Sequence, residues 1–201
     1  MKKYDCIFLD RDGTLNFDPA GYINSIDRFS FFDFTFPALQ LMAKVSNNFC
    51  IITNQSGVSR GLIKEQALNE INNFIKNQFE KHSIHLLDIY FCIDHPDQAT
   101  KRRKPGPGMF LEAKSDHNLN LLNCLMIGDS LADIKAGQNL GMDTMLVLTG
   151  HGSETNELLL DNQMPTYIVQ DLAEGGKIVR LECSLGIRAT ISERPESRIS
   201  Q

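Results

Sequence analysis

The sequence predicts an α/β fold: an open parallel sheet with helices on both faces. Three observations carry that prediction. Short apolar runs recur along the chain, at Ile7–Leu9, Phe49–Ile52, Ile89–Cys92, Leu125–Ile127, Met145–Leu148 and Tyr167–Val169. Stretches with helical spacing lie between them. Reactive polar side chains gather just after the runs and not within them. Continuous apolar runs mark strands covered on both faces, and such sheets bind ligands beyond the carboxyl ends of their strands, where the strand order reverses.

Taken in order, Ile7–Leu9 runs directly into Asp10, Arg11, Asp12 and Gly13. Asp-Gly between apolar segments is a hairpin signal, but "TLNFDPAGYINSIDRF" follows with no period-2 alternation, so a crossover is predicted instead. Residues 37–45 ("PALQLMAKV") form a first helix with proline near its first turn. After Phe49–Ile52, residues 64–82 place Leu68, Ile71, Phe74, Ile75 and Phe79 on one stripe. Ile89–Cys92 precedes a helix over 107–116, and Leu125–Ile127 precedes one over Leu131–Leu140. Met145–Leu148 and Tyr167–Val169 complete the strands. The pattern then decays, so one domain is predicted over 1–175 and a weakly ordered tail over 176–201, with a short helix or strand near 177–187 as the alternative.

The 201 residues suit a single core of ordinary size. A formal charge of −5 gives no electrostatic footprint for nucleic acid, and the basic run "KRRK" at 101–104 is too short to reverse that. No apolar stretch is long enough to span a membrane, and Asp10 interrupts the N-terminal apolar run too early for a signal peptide. Five cysteines are scattered without metal-type spacing, three of them in apolar runs, as expected of small buried side chains in the cytoplasm. No coiled-coil seam is present, which points to a monomer.

The strand ends supply the chemistry. Asp10 ends the first run, Thr53 and Asn54 the second, and Asp129 with Asp133 follow the fourth; Lys104 stands before a helix. Any one of these could be a helix cap; the set is harder to explain that way. Residues two apart on an extended segment project to the same side, so Asp10 and Asp12 can face one site. An ionised carboxylate can attack phosphorus, while a second can carry a proton to the leaving alcohol and later take one from water. Asp129 with Asp10 and a backbone carbonyl would hold Mg²⁺, which favours oxygen ligands. Lys104, Thr53 and the backbone N–H groups of Arg11 and Asp12 are the donors available to a phosphoryl group in transfer.

Four motifs in this order, "DRDGT" (Asp10–Thr14), "TNQSG" (Thr53–Gly57), "RRKPGPGM" (Arg102–Met109) and "GDSLAD" (Gly128–Asp133), resemble the haloacid dehalogenase superfamily of phosphatases, whose fold is Rossmann-like. Over residues 4–150, "FLDRDGTLN…GYI", "ITNQSGVSRG", "YFCIDHP" and "RKPGPGMF" look like the branch of D-glycero-D-manno-heptose 1,7-bisphosphate phosphatases, relatives of the histidinol-phosphate phosphatases. That branch has a small loop insert and no large cap domain. The resemblance implies Asp10 as nucleophile, Asp12 as acid/base, Thr53 and Lys104 on the transferring phosphoryl, and Mg²⁺ at Asp10, Asp12 and Asp129, with Asp133 as an optional ligand. It implies substrate contacts from Arg11, Asp18, Gly21, Tyr22, Asn54, Gln55, Ser56, Arg103 and Ser130, and offers Arg60 for a second phosphate. Its substrate would be a small phosphorylated sugar, heptose bisphosphate first, with histidinol phosphate or another sugar phosphate as the alternative. A catalytically idle relative is the reading from another class, and retention of Asp10, Asp12, Lys104 and Asp129 speaks against it.

The chain departs from the family at one loop. The branch usually carries a structural zinc on a Cys-x-His and a Cys-x-Cys pair ahead of the lysine motif. Here Cys92 is followed by Ile93 and Asp94, His95 is one place off, and "DQATKRRKPG" holds no cysteine. One ligand of four cannot close a tetrahedral site, so no structural zinc is expected.

Overall fold

The computed structural model describes residues 3–18 and 21–186. Six parallel strands form one sheet in the order β3-β2-β1-β4-β5-β6: β1 Cys6–Leu9, β2 Phe49–Asn54, β3 Leu86–Cys92, β4 Cys124–Gly128, β5 Asp143–Val147 and β6 Tyr167–Val169. Six α-helices accompany them: α1 Thr35–Met42, α2 Glu65–Lys81, α3 Gly108–His117, α4 Leu131–Asn139, α5 Gly152–Leu158 and α6 Leu172–Leu185. The chain winds outward from β1 through β2 to β3, then returns to the other side of β1 with β4. The switch point therefore lies between β1 and β4, and Asp10 and Asp129 follow those two strands directly.

Alternation along each strand splits the core in two. Ile7, Leu9, Phe49, Ile51, Leu125 and Ile127 pack on one face against α1, α2 and α6, through Leu39, Ile71, Phe79 and Val179. Cys6, Phe8, Cys50, Ile52, Cys124 and Met126 pack on the other against Met109, Phe110 and Ala113 of α3 and Ala136 of α4. Both faces of β1 are fully buried, which is why its sequence is continuously apolar. Four of the five cysteines lie in this second cluster as free, buried thiols.

The loop between β1 and α1 is pinned by aromatic contacts and a buried hydroxyl. Phe29 meets Phe31 and Phe74 edge-on at 4.8 and 5.9 Å, and Thr35 Oγ1 donates to the Leu15 carbonyl at 2.6 Å. This insert carries Asp18, Gly21 and Tyr22 over the carboxyl edge of the sheet.

The boundary expected after residue 175 falls inside α6, which continues to Leu185 and packs on α1, so the alternative of a short helix near 177–187 is the one this segment follows. Gly175 and Gly176 weaken the helical pattern, yet they allow the close approach. A Cβ at Gly176 would crowd the Ala38 carbonyl and one at Gly175 the Met145 sulfur. Asp171 caps the helix by accepting from Glu174 N at 2.9 Å. The rest of the expected tail, from 187 on, lies outside the described residues, among which no helix is long and apolar enough to cross a membrane.

Candidate active site

The carboxyl ends of β1, β2 and β4 open into a cavity of about 510 Å³, walled by Asp10, Arg11, Asp12, Thr53, Asn54, Gln55, Lys104, Asp129 and Ser130 and by Asp18, Gly21, Tyr22, Ser56 and His151. At its base sits Lys104, 4% exposed. Its Nζ donates to Asp10 Oδ1 at 2.8 Å and to the Ile52 carbonyl at 2.7 Å, and pairs with Asp133 Oδ1 at 2.6 Å. The Asn54 side chain clamps the lysine's backbone, accepting from Lys104 N at 3.0 Å and donating to Lys104 O at 3.1 Å. Burial alone would lower the lysine's pKa; the two carboxylates outweigh it and hold the ammonium above its ordinary range.

Carboxylate oxygens of Asp10, Asp129 and Asp133 lie within 4.8 Å of one another. Asp133 also serves α4, where its Oδ2 accepts from Ser130 N at 3.1 Å and Ser130 Oγ at 2.6 Å, an acidic form of the capping box. Asp129 is held from the opposite side by His151 N, which donates to its Oδ2 at 2.8 Å, and by Thr155 Oγ1, which donates to its carbonyl at 2.9 Å. Gly13 and Gly150 both have positive φ and both flank this carboxylate; a Cβ on either would collide with it.

Residues 101–175 match the HAD-hydrolase-like family model. Over 182 residues the chain is 32% identical to the D-glycero-beta-D-manno-heptose-1,7-bisphosphate 7-phosphatase of Photorhabdus laumondii, covering 87% of this chain and 94% of that protein. It is 34% identical over 153 residues to the D-glycero-alpha-D-manno-heptose-1,7-bisphosphate 7-phosphatase of Burkholderia mallei, covering 73% and 80%. The crystal structure of D,D-heptose 1,7-bisphosphate phosphatase from B. bronchiseptica, complexed with magnesium and phosphate, matches with a TM-score of 0.80 at 30% identity, over 90% of this chain and 99% of that one. The chain belongs to the haloacid dehalogenase-like phosphatases, in their heptose-bisphosphatase branch.

In this phosphatase most of the expected site residues come together around one cavity. The Asp12 carboxylate lies outside the acidic cluster and accepts from Arg11, Asn16 and Gln55, so its backbone carbonyl is the atom it has to offer a metal. Arg11 lines the cavity, but it is 1% exposed and its guanidinium turns to Asp12 and Gln55, which leaves its backbone as the part that can face substrate. Arg60 and Arg103 are not among the residues that wall the cavity; Arg60 is exposed, and Arg103 Nη1 donates to the Asp94 carbonyl at 3.3 Å. Sequence reasoning also passed over the segment after β5. His151 lines the rim, with Nε2 3.5 Å from Asp18 Oδ2, and Thr149 Oγ1 donates to the Gly13 carbonyl at 2.6 Å. "LTGHG" directly after an apolar run was the available signal.

The donor set fits a magnesium ion: an all-oxygen cluster, glycines that leave Asp129 room, and one fixed cation against three carboxylates. Burial, with neighbouring carboxylates assisting and Lys104 opposing, raises Asp10 to about 7. Burial and the charges of Asp10 and Asp133 raise Asp129 to about 8. An acid with a raised folded-state pKa binds more protons folded than unfolded, so the metal-free protein loses stability as pH climbs from the ordinary carboxylate range toward 8. Metal binding needs the ionised forms and releases those protons. At fixed Mg²⁺, the rise in Tm is therefore expected to be larger at about pH 8 than at about pH 6. Calorimetry with and without Mg²⁺ checks this; equal shifts at both pH values would place the metal elsewhere.

Proposed function

We propose that this phosphatase removes the 7-phosphate of a D-glycero-D-manno-heptose 1,7-bisphosphate, leaving the 1-phosphate and inorganic phosphate, with Mg²⁺ as cofactor. The observation that carries the reading is the Lys104–Asp10 pair at the β1/β4 switch point, beside Asp129, in a chain so closely similar to heptose bisphosphatases over most of its length. The Asp10 carboxylate attacks phosphorus, the ester bond to the sugar oxygen breaks, and Asp12, in the protonated form that Arg11, Asn16 and Gln55 disfavour, gives that oxygen its proton. Asp12 then takes a proton from the water that attacks the aspartyl phosphate, which releases phosphate and restores Asp10. Lys104 and the Thr53 hydroxyl hold the phosphoryl oxygens through both steps. Asp10 and Asp129 would hold the magnesium, which when bound would further neutralise the phosphoryl charge.

The outer cavity suits a polyol. Asp18, Tyr22 and Ser56 offer acceptors and donors for sugar hydroxyls, and the His151 imidazole stands at the mouth where a distal phosphate would lie. A cytoplasmic location fits the free buried thiols. The deciding assay is phosphate release with Mg²⁺ from both anomers of heptose 1,7-bisphosphate, from histidinol phosphate and from a sugar-phosphate panel, with ³¹P NMR locating the phosphate that remains. A strong preference for the bisphosphate with loss at position 7 is expected. Even activity across the panel would refute the substrate.

We also propose that the loop over 93–103 needs no zinc. Asp94 Oδ2 accepts from Thr100 N at 2.8 Å and Thr100 Oγ1 at 2.6 Å. Arg102 donates to the Phe91 carbonyl at 2.6 Å and pairs with Glu112. These bonds tie the loop to β3 and α3. Cys92 lies in the core with Met109 and Phe110, so Cys92→Ala is expected to cost on the order of 1 kcal/mol and to leave the metal content unchanged. Stoichiometric zinc in the purified protein, lost in this variant, would refute the reading.

A further inference from the structure

Behind Asp12 lies a buried polar cluster to which the steps above give no role. Gln55, 4% exposed, donates from Nε2 to Asp12 Oδ2 and to Thr53 Oγ1, both at 2.8 Å. Its Oε1 accepts from Arg11 Nη2 at 3.0 Å. Arg11 also reaches Asp12 twice, Nε to Oδ1 at 3.1 Å and Nη2 to Oδ2 at 2.8 Å. Asn16 Nδ2 adds a fourth donor at 3.0 Å.

A guanidinium has only donors, so its contact with Gln55 fixes which end of the amide carries oxygen. Both Nε2 hydrogens then face acceptors, one on Asp12 and one on Thr53. Because the Thr53 oxygen accepts from Gln55, its single hydroxyl proton is free to point into the cavity where the phosphoryl group sits. The same amide holds the Asp12 carboxylate in place. Gln55 and Arg11 both line the cavity but are only 4% and 1% exposed, so most of each side chain faces protein.

We propose that Gln55, backed by Arg11, is a positioning residue that sets the Asp12 carboxylate and turns the Thr53 hydroxyl into a donor toward the transferring phosphoryl. The proposal rests on the roles given above to Asp12 and Thr53. It goes beyond the substrate contact expected of Gln55 and Arg11, and it assigns one side chain to two catalytic groups at once.

The test compares Gln55→Met, Gln55→Glu and Asp12→Asn with the wild type on heptose bisphosphate and on p-nitrophenyl phosphate, with melting curves to show that each variant folds. Gln55→Met keeps the shape without donors; Gln55→Glu puts an acceptor where two donors are needed. Both are expected to lose kcat on the order of 10²-fold with KM little changed, since small misplacements of catalytic groups cost about that much. Nitrophenolate departs without a proton donor, so on that substrate the first turnover should slow less than the steady state, which depends on Asp12 as base. A raised KM with kcat intact would make Gln55 a substrate contact and overturn the proposal. So would wild-type kinetics, or a fall in kcat that slows the first turnover and the steady state alike. Wild-type turnover by Asp12→Asn would instead overturn the reading of Asp12 beneath it, whereas a slow Asp12→Asn beside a normal Gln55→Met overturns the positioning alone.

Discussion

Asp10→Asn is expected to abolish turnover while leaving the fold intact. An amide is not a nucleophile toward phosphorus at neutral pH, and no other carboxylate can take over. Asp129 and Asp133 share the cluster, but Asp129 is fixed by His151 N and Asp133 by Ser130 and Lys104. Loss of a covalent nucleophile costs on the order of 10⁶ in kcat. The substitution is nearly isosteric, and its amide oxygen can still accept from Lys104 Nζ, which sits 2.8 Å from Oδ1. It also removes one of three crowded carboxylates. The variant should therefore melt no lower than the wild type at about pH 8 without metal, since burial has already raised Asp10 to about 7 and its ionisation costs stability above that value. Phosphate release and mass spectrometry of the acid-quenched enzyme check both halves. Turnover near the wild-type rate, or a phosphorylated Asp10→Asn chain, would end the covalent route.

The fold was legible because each strand announces itself twice, by an apolar run and by the polar residue that follows. The run 124–128 and Asp129 behind it show both. Two helices were missed or cut short. The seven residues of α5, "GSETNEL", carry almost no apolar stripe, and its value lies in Thr155 and in the turn before it. In α6 the paired glycines broke the periodicity for a reason that exists only in three dimensions, the nearness of α1. At the site, the sequence told which residues reach the carboxyl edge and not which way they turn. Asn54 and Gln55 follow the same strand; one grips the Lys104 backbone and the other ties Asp12 to Thr53. Arg11 lies between two aspartates, yet its head is almost wholly buried. Spacing along an extended segment fixes the side of projection, but the choice between substrate and protein partner is made by donors from other elements.

Lys104→Met should show how tightly catalysis and stability are joined here. The ammonium lies 2.8 Å from Asp10 Oδ1 and 2.6 Å from Asp133 Oδ1, and the side chains of Lys104 and Asp133 are 2% and 0% exposed. Removing one partner of a buried pair strands the other charges, at about 3–5 kcal/mol. The cost should depend on pH, and its sign follows from the carboxylates. Asp10 and Asp129 already stand at about 7 and about 8. Without Lys104, which lowers both, they move higher still. A raised acid is stable while protonated and loses that stability as pH rises toward its folded-state pKa. The Tm deficit of Lys104→Met is therefore expected to be small at about pH 5 and large at about pH 8, with Mg²⁺ recovering part of it by supplying charge to the same carboxylates. Activity should not recover, because the lysine is also the donor proposed for the transferring phosphoryl, and loss of one such donor costs about 10²–10³ in kcat. Lys104→Arg should not rescue either function, since a planar guanidinium is larger than the point-like ammonium that this closed slot surrounds. A Tm deficit equal at both pH values would mean that packing and not charge fixes Lys104, and near-normal kcat in Lys104→Met would remove it from the reaction.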